Sequence, residues 1–162
     1  MIIIYEPEGS EPQPFDAGRG KLRASEIQII ERTADARWPD IKEAAAEGSI
    51  HAMRVIVWAI RKRSEPTLRF ADFDPFEGEL RSRLDAREVR AYAEDILKEY
   101  GENPDDLAAA FDELRDAAYD REDTDAAIAD VTAPKDPAPA PEPESLPVHA
   151  YKELETVSPS GG

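Results

Sequence analysis

From Ser49 to Arg63 the sequence SIHAMRVIVWAIRKR places apolar side chains around almost the whole circumference of a helix. Ile50, Met53, Val57 and Ile60 recur at helical spacing, and Val55, Ile56, Trp58 and Ala59 fill most of the remaining faces. A helix of this kind has to be covered on several sides. A membrane span needs about 20 apolar residues, and this run is shorter and interrupted by Arg54. The pattern therefore predicts the central helix of a small all-helical core.

The flanking segments predict amphipathic helices with readable ends. Ser25, with Gln28 three residues on, has the form of a capping box, and Ile27, Ile30 and Ala34 continue an apolar stripe behind it. Trp38-Pro39-Asp40 opens a second helix lined by Ile41, Ala44 and Ala45, with Gly48 as its C-terminal stop. Ser49 then caps the apolar helix, whose last turn carries Arg61, Lys62 and Arg63 against the negative end of the dipole. After Ser64-Glu65-Pro66-Thr67, the bulky Leu68, Phe70, Phe73 and Phe76 predict an irregular or one-turn lid over these helices. Asp85 to Tyr100 is a further helix with Val89, Tyr92, Ala93, Ile96 and Leu97 on one side. Asn103-Pro104 starts another with Leu107, Phe111, Leu114 and Ala118, and a weaker turn follows at Ala126 to Val131.

At the N-terminus, Ile2, Ile3, Ile4 and Tyr5 read as a short strand stopped by Pro7 and Gly9, with a breaker-rich loop or extended arm to Gly20 and no basic region typical of a secretory signal. At the other end, 134–147 holds six of the fourteen prolines, a composition that cannot bury apolar surface and predicts a disordered tail. Val148, Tyr151 and Leu154 within it read as part of a solvated tail, with a small docking motif as the alternative. The expected organisation is an N-terminal arm (1–21), a helical domain (22–131, made of 22–76 and additional helices at 77–131) and an acidic Pro/Glu-rich tail (132–162). The 162 residues, 41% hydrophobic and 35% charged, provide apolar material for one core.

A net charge of −16 argues against nucleic acid as the main partner, because phosphate contacts need clustered cations. With no cysteine there is no disulfide framework, thiol nucleophile or thiolate metal site. His51 and His149 stand far apart in the sequence, so no histidine pair suggests a metal centre or a catalytic relay, and no cofactor motif is present. Asp72, Asp74 and Glu77 lack the glycine turn and bidentate glutamate of a calcium loop and read as solvated acids. Gly18 and Gly20 beside Arg19 lack the GxxxxGK run of a phosphate cradle. The basic series Arg61, Lys62, Arg63, Arg69, Arg81, Arg83, Arg87 and Arg90 reads as helix-end cations and surface ion pairs. The alternative is a surface for the acidic tail or an acidic partner.

One stretch resembles a known family. The segment from Leu22 to Phe76 combines ASEIQIIERTADARW, a turn at Trp38, a short helix ending in AAEGS, the apolar HAMRVIVWAIRKR and the closing SEPTLRFADFDPF. In this it is similar to the tail assembly chaperones of long-tailed phages of actinobacteria; nothing from Glu77 onward carries the likeness. The resemblance implies a non-enzymatic factor of the host cytoplasm, absent from the mature virion. It would bind the tape-measure protein, keep it soluble and help tail-tube protein polymerise around it. Trp38, Trp58, Phe70, Phe73 and Phe76 are the candidate partner-binding residues, each with a core role as its alternative, and self-association stays open. Two other classes stay open: a structural head-tail connector or tail-completion protein, and an acidic regulatory or DNA-mimic protein. No membrane partner is expected.

The same resemblance implies two lengths of product, the longer made by a programmed ribosomal frameshift. Consecutive glycine codons can form a run of guanines, and Gly161-Gly162 follow a linker suited to presenting a second module. The expected outcome is a slippery tract at or just before these codons with an overlapping downstream frame; the alternative is that Gly161 and Gly162 are only a flexible end or a cloning remnant. Sequencing the gene checks it, and a stop codon with neither feature nearby refutes it.

Overall fold

Helix formation around the apolar run follows the sequence closely. In the computed structural model, which describes residues 1–133, this run is a helix, α3 (Ile50–Arg61), begun by Ser49, whose hydroxyl accepts from the Ala52 amide at 3.4 Å. It follows α1 (Ala24–Ala34) and α2 (Trp38–Ala46) and precedes α4 (Ala86–Tyr100), α5 (Pro104–Ala117) and α6 (Arg121–Thr132). Gly48 closes α2 with φ +94°, a left-handed conformation that a side chain would strain. Asp85 caps α4 through the amides of Arg87 and Glu88 at 3.1 and 2.9 Å. At α1 the cap differs from the expected one: Ser25 lies inside the helix, and Glu26 reaches back to the Arg23 amide at 2.6 Å.

The chain is mostly helical but not all-α. Within residues 1–21, the short strand expected at Ile2 to Tyr5 forms as β1 (Ile2–Tyr5), while the stretch expected as a loop or extended arm supplies β2 (Gln13–Asp16), and β3 (Leu80–Arg83) completes an antiparallel sheet in the order β2-β1-β3. The register pairs Ile2 with Asp16 and Arg83 at one end, and Tyr5 with Gln13 and Leu80 at the other. A lone isoleucine-rich strand leaves its peptide groups unpaired, so β1 takes a partner on each side. Ile3 and Ile4 are buried, while Pro14, which has no N–H to donate, sits on the edge strand β2.

Two hydrophobic clusters form where one core was expected. The first surrounds α3: Ala52, Met53 and Val55 to Ile60 are buried against Ile30 of α1, Ile41 and Ala45 of α2, Ile3 and Leu80 of the sheet, and Phe73. The second belongs to α4, α5 and α6 and is built from Val89, Ala93, Phe111, Leu114, Ala118 and Ile128. Helix α6, expected as a weak turn, is a full twelve-residue helix because Ile128 and the fully buried Thr124 pack into this second cluster. The tail and its Val148, His149, Tyr151 and Leu154, like Gly161 and Gly162, fall outside the described residues.

Trp58 lies within the first cluster at 8% exposure, so Trp58→Ala is expected to cost about 3–5 kcal/mol in chemical denaturation. Trp38→Ala, at a half-buried helix start, should cost less. A native-like transition for Trp58→Ala would remove that residue from the core.

Candidate functional site

The aromatic residues after α3 are organised by an arginine inside it. An arginine in an apolar helix must find acceptors for its donors, and Arg54 finds them in the following loop. Its Nε donates to the Phe73 carbonyl at 2.6 Å, and one terminal nitrogen reaches the Phe70 carbonyl at 3.1 Å and Asp74 at 3.3 Å. The guanidinium also lies 4.3 Å from the centre of the Phe70 ring. One and two turns on, Trp58 Nε1 donates to the Leu68 carbonyl at 3.1 Å, and Arg61 lies 5.1 Å from the Phe73 ring while pairing with Glu65. Lys62 Nζ binds the carbonyls of Pro66 and Leu68 at 2.8 and 3.1 Å. The loop is thus laced to α3 along the helix's own basic residues.

This arrangement brings together three of the five candidate contact residues. Trp58 and Phe73 are buried, and Phe70, half-buried, meets Trp58 edge-on at 5.4 Å between ring centres; Tyr5 packs in the same manner on Phe73 at 5.3 Å. Trp38 stands apart at the start of α2, its amide bound by Glu31 at 2.8 Å. Phe76 is 77% exposed. Sequence reasoning did not separate these environments, and it did not single out Tyr92 and Tyr119, both exposed on the α4–α6 unit. The sequence pattern puts Tyr92 on the apolar stripe of α4, but its position on the flank of that helix leaves it in solvent.

The basic series is largely consumed within the fold. Arg63 holds Glu26 through two contacts of 2.7 and 2.8 Å, Arg69 holds Asp72, Arg81 holds Glu6, Arg90 holds Asp130, and Arg83 donates to the Asp116 carbonyl. Asp72 and Asp74 are tied to different cations, and among the described residues no three His, Asp or Glu side chains gather where a metal could sit. His51 is exposed, its ring edge-on to Phe70 at 6.1 Å. No helix among the described residues is long and apolar enough to cross a membrane.

Negative charge is concentrated in one part of the molecule. Residues 84–133 carry sixteen Asp and Glu against five Lys and Arg, a net −11, while residues 1–83 carry fifteen against thirteen, a net −2. The α4–α6 unit therefore holds most of the chain's −16, on helices whose outward faces are exposed. No family model, curated protein or solved structure matches the chain.

The ion pair that closes the first unit gives a pH prediction. The Arg63 guanidinium beside the buried Glu26 holds its carboxyl below the usual glutamate range, against the opposing effect of burial. A lowered carboxyl pKa adds stability above the unfolded value of about 4.3, and this is lost as pH falls through the lower folded value. Glu26→Gln should thus cost about 1–2 kcal/mol at neutral pH, a modest figure because Arg63 is partly solvated. The difference from the wild type should vanish in acid, and denaturation curves across pH check it. An unchanged gap at low pH would assign the loss to packing instead.

Proposed function

We propose that the chain is a phage tail assembly chaperone that binds the tape-measure protein in the host cytoplasm, keeps it soluble and assists tail-tube polymerisation. The reading rests on the resemblance of Leu22 to Phe76, and the observation that carries it furthest is the separation of charge. A nearly neutral unit bearing the half-buried Trp38 and exposed Phe76 is joined to a helical unit of net −11. An apolar helical partner held by the first would be kept from aggregating by the repulsion carried on the second. Arg54 and the loop it holds give the binding unit a fixed shape.

The acidic α4–α6 unit also favours a second reading, a decoy for a basic nucleic-acid-binding protein. Co-expression with the tape-measure protein separates the two. The chaperone reading expects a higher soluble yield and a shared peak on size exclusion, with no chain in purified particles. An unchanged yield and no complex would refute it. A nanomolar complex with a DNA-binding enzyme would support the decoy, and recovery from purified particles would point to a connector or tail-completion protein.

A further inference from the structure

The most exposed large apolar side chain in the described residues stands on a tightly tethered turn. The Phe76 amide donates to Glu79 Oε2 at 2.9 Å, and its carbonyl accepts from the Glu79 amide at 3.0 Å. Glu79 is fixed in turn by the Glu6 amide on its carbonyl at 2.9 Å and the Glu8 amide on Oε1 at 3.2 Å. On the preceding side, Phe73 is buried and clamped by Arg54. The ring is therefore held out in solvent on an ordered backbone, which lowers the entropy lost when it enters a partner. Its neighbours Glu77 and Glu8 are exposed and have no cation partner among the described residues.

The sheet register places a complementary feature at the opposite end of the sheet. Phe76 lies beyond the end where Tyr5 meets Leu80; beyond the end where Ile2 meets Asp16 and Arg83 lies a cleft of about 480 Å³. Ile2, Leu84, Val89 and Tyr119 give it apolar walls, and Arg19 and Arg87 line it with no carboxylate partner among the described residues. Its acids are mostly engaged. Asp16 accepts from the Gly18 amide at 2.8 Å and pairs with Lys21, Asp85 caps α4 and holds the Met1 amino group, and Asp120 caps α6 through the Asp123 amide at 3.0 Å. Asp120 and Asp123, both on the α6 side, have no cation partner among the described residues, so an acidic occupant is favoured only where it meets Arg19 and Arg87. Gly18 lets the Asp85 and Asp16 carboxylates approach the backbone closely, since a Cβ there would lie 2.7 Å from Asp85 Oδ2 and 2.9 Å from Asp16 Oδ1.

We propose that Phe76 of one copy of this chain enters the cleft between the sheet and the α4–α6 unit of a second copy, with Glu77 and Glu8 facing Arg19 and Arg87. An aromatic anchor in an apolar cleft supplies the affinity, and the opposed rim charges select the orientation. Anchor and cleft are different patches beyond opposite ends of the sheet, so the contact proposed is heterologous, and each added copy exposes a fresh anchor and a fresh cleft. Assembly then continues past the dimer, as a ring or an open string. The net charge of −16 limits its strength at low ionic strength, where the mutual repulsion of copies is least screened.

Sedimentation velocity of the full chain at physiological salt, from micromolar to sub-millimolar concentration, tests this. The wild type should show a mass that grows with concentration beyond that of a dimer. Phe76→Asp should stay monomeric, and so should the double variant Arg19→Glu/Arg87→Glu, both with wild-type thermal melts because all three side chains are exposed. An equimolar mixture of the two variants joins the intact cleft of one to the intact anchor of the other, and should yield a species of two chains and nothing larger. A monomeric wild type at the highest concentration, a Phe76→Asp protein that assembles like the wild type, or a mixture with no two-chain species would each overturn the proposal.

Discussion

Helix α3 has no face that tolerates water, and the first unit is arranged to meet that constraint. A helix with eight of twelve residues buried cannot be served by one neighbour. Helices α1 and α2 cover part of it, and the sheet brings Ile3 and Leu80 to another part. The loop after Arg63 closes what remains. An irregular loop over a core would leave unsatisfied carbonyls, and here Phe70, Phe73, Pro66 and Leu68 give theirs to Arg54, Trp58 and Lys62. Arg54, Trp58 and Lys62 thus make a polar lattice over the apolar helix, and the cations among them are used within it.

Much of this was legible in the chain. The helices announce themselves through Ser49, the Trp38-Pro39 and Asn103-Pro104 starts and Gly48, because caps and periodicity are local signals. The sheet was not, because its signal is divided. Gln13 to Asp16 contains a proline and lies among breakers, and Leu80 to Arg83 has a single apolar residue, so neither resembles a strand until β1 recruits it from 8 and 75 residues away respectively along the paired ends. Helix α6 was understated for a related reason: its apolar positions are few, and Thr124 becomes interior only through the α4 and α5 surfaces packed on it.

The candidate site was legible as a composition but not as a geometry. Trp58, Phe70, Phe73 and Phe76 carry the same sequence signal of aromatic side chains near a basic helix end, and they range from 3% exposure at Phe73 to 77% at Phe76. What separates them is long-range packing: Trp58 and Phe73 join the first cluster, Phe70 packs at its edge, and the loop is tied down through Arg54 by contacts 16 and 19 positions apart that no periodicity encodes. Charge shows the same limit. The total of −16 is visible from the composition, but its concentration on α4, α5 and α6 has meaning only once those helices form a unit with a separate core.

The two cores are joined by polar and backbone contacts rather than by shared apolar surface. Arg83, the last residue of β3, donates to the Asp116 carbonyl at 2.9 Å, next to where Leu84 is held in the second unit by backbone hydrogen bonds of 3.0 Å with Ala117 and Tyr119. Lys42 of α2 meets Glu88 of α4 at 3.2 Å, and the Met1 amino group lies between Glu88 and Asp85. Burial in the Asp85 environment raises its carboxyl pKa, and the amino group and backbone amides more than offset this, leaving it below the usual aspartate value. Apolar burial is non-directional, whereas hydrogen bonds and ion pairs fix distance and angle. A junction made of the latter gives the acidic unit a defined orientation with little apolar area, and so leaves the outward faces of α4, α5 and α6 in solvent. The segregated charge is therefore a property of the fold as well as of the composition: the junction draws on Asp85 and Glu88, Glu94, Asp95, Asp112, Asp125 and Asp130 pair with cations of the same unit, and the other nine acids of residues 84–133 are left without an ion-pair partner among the described residues to shape its field.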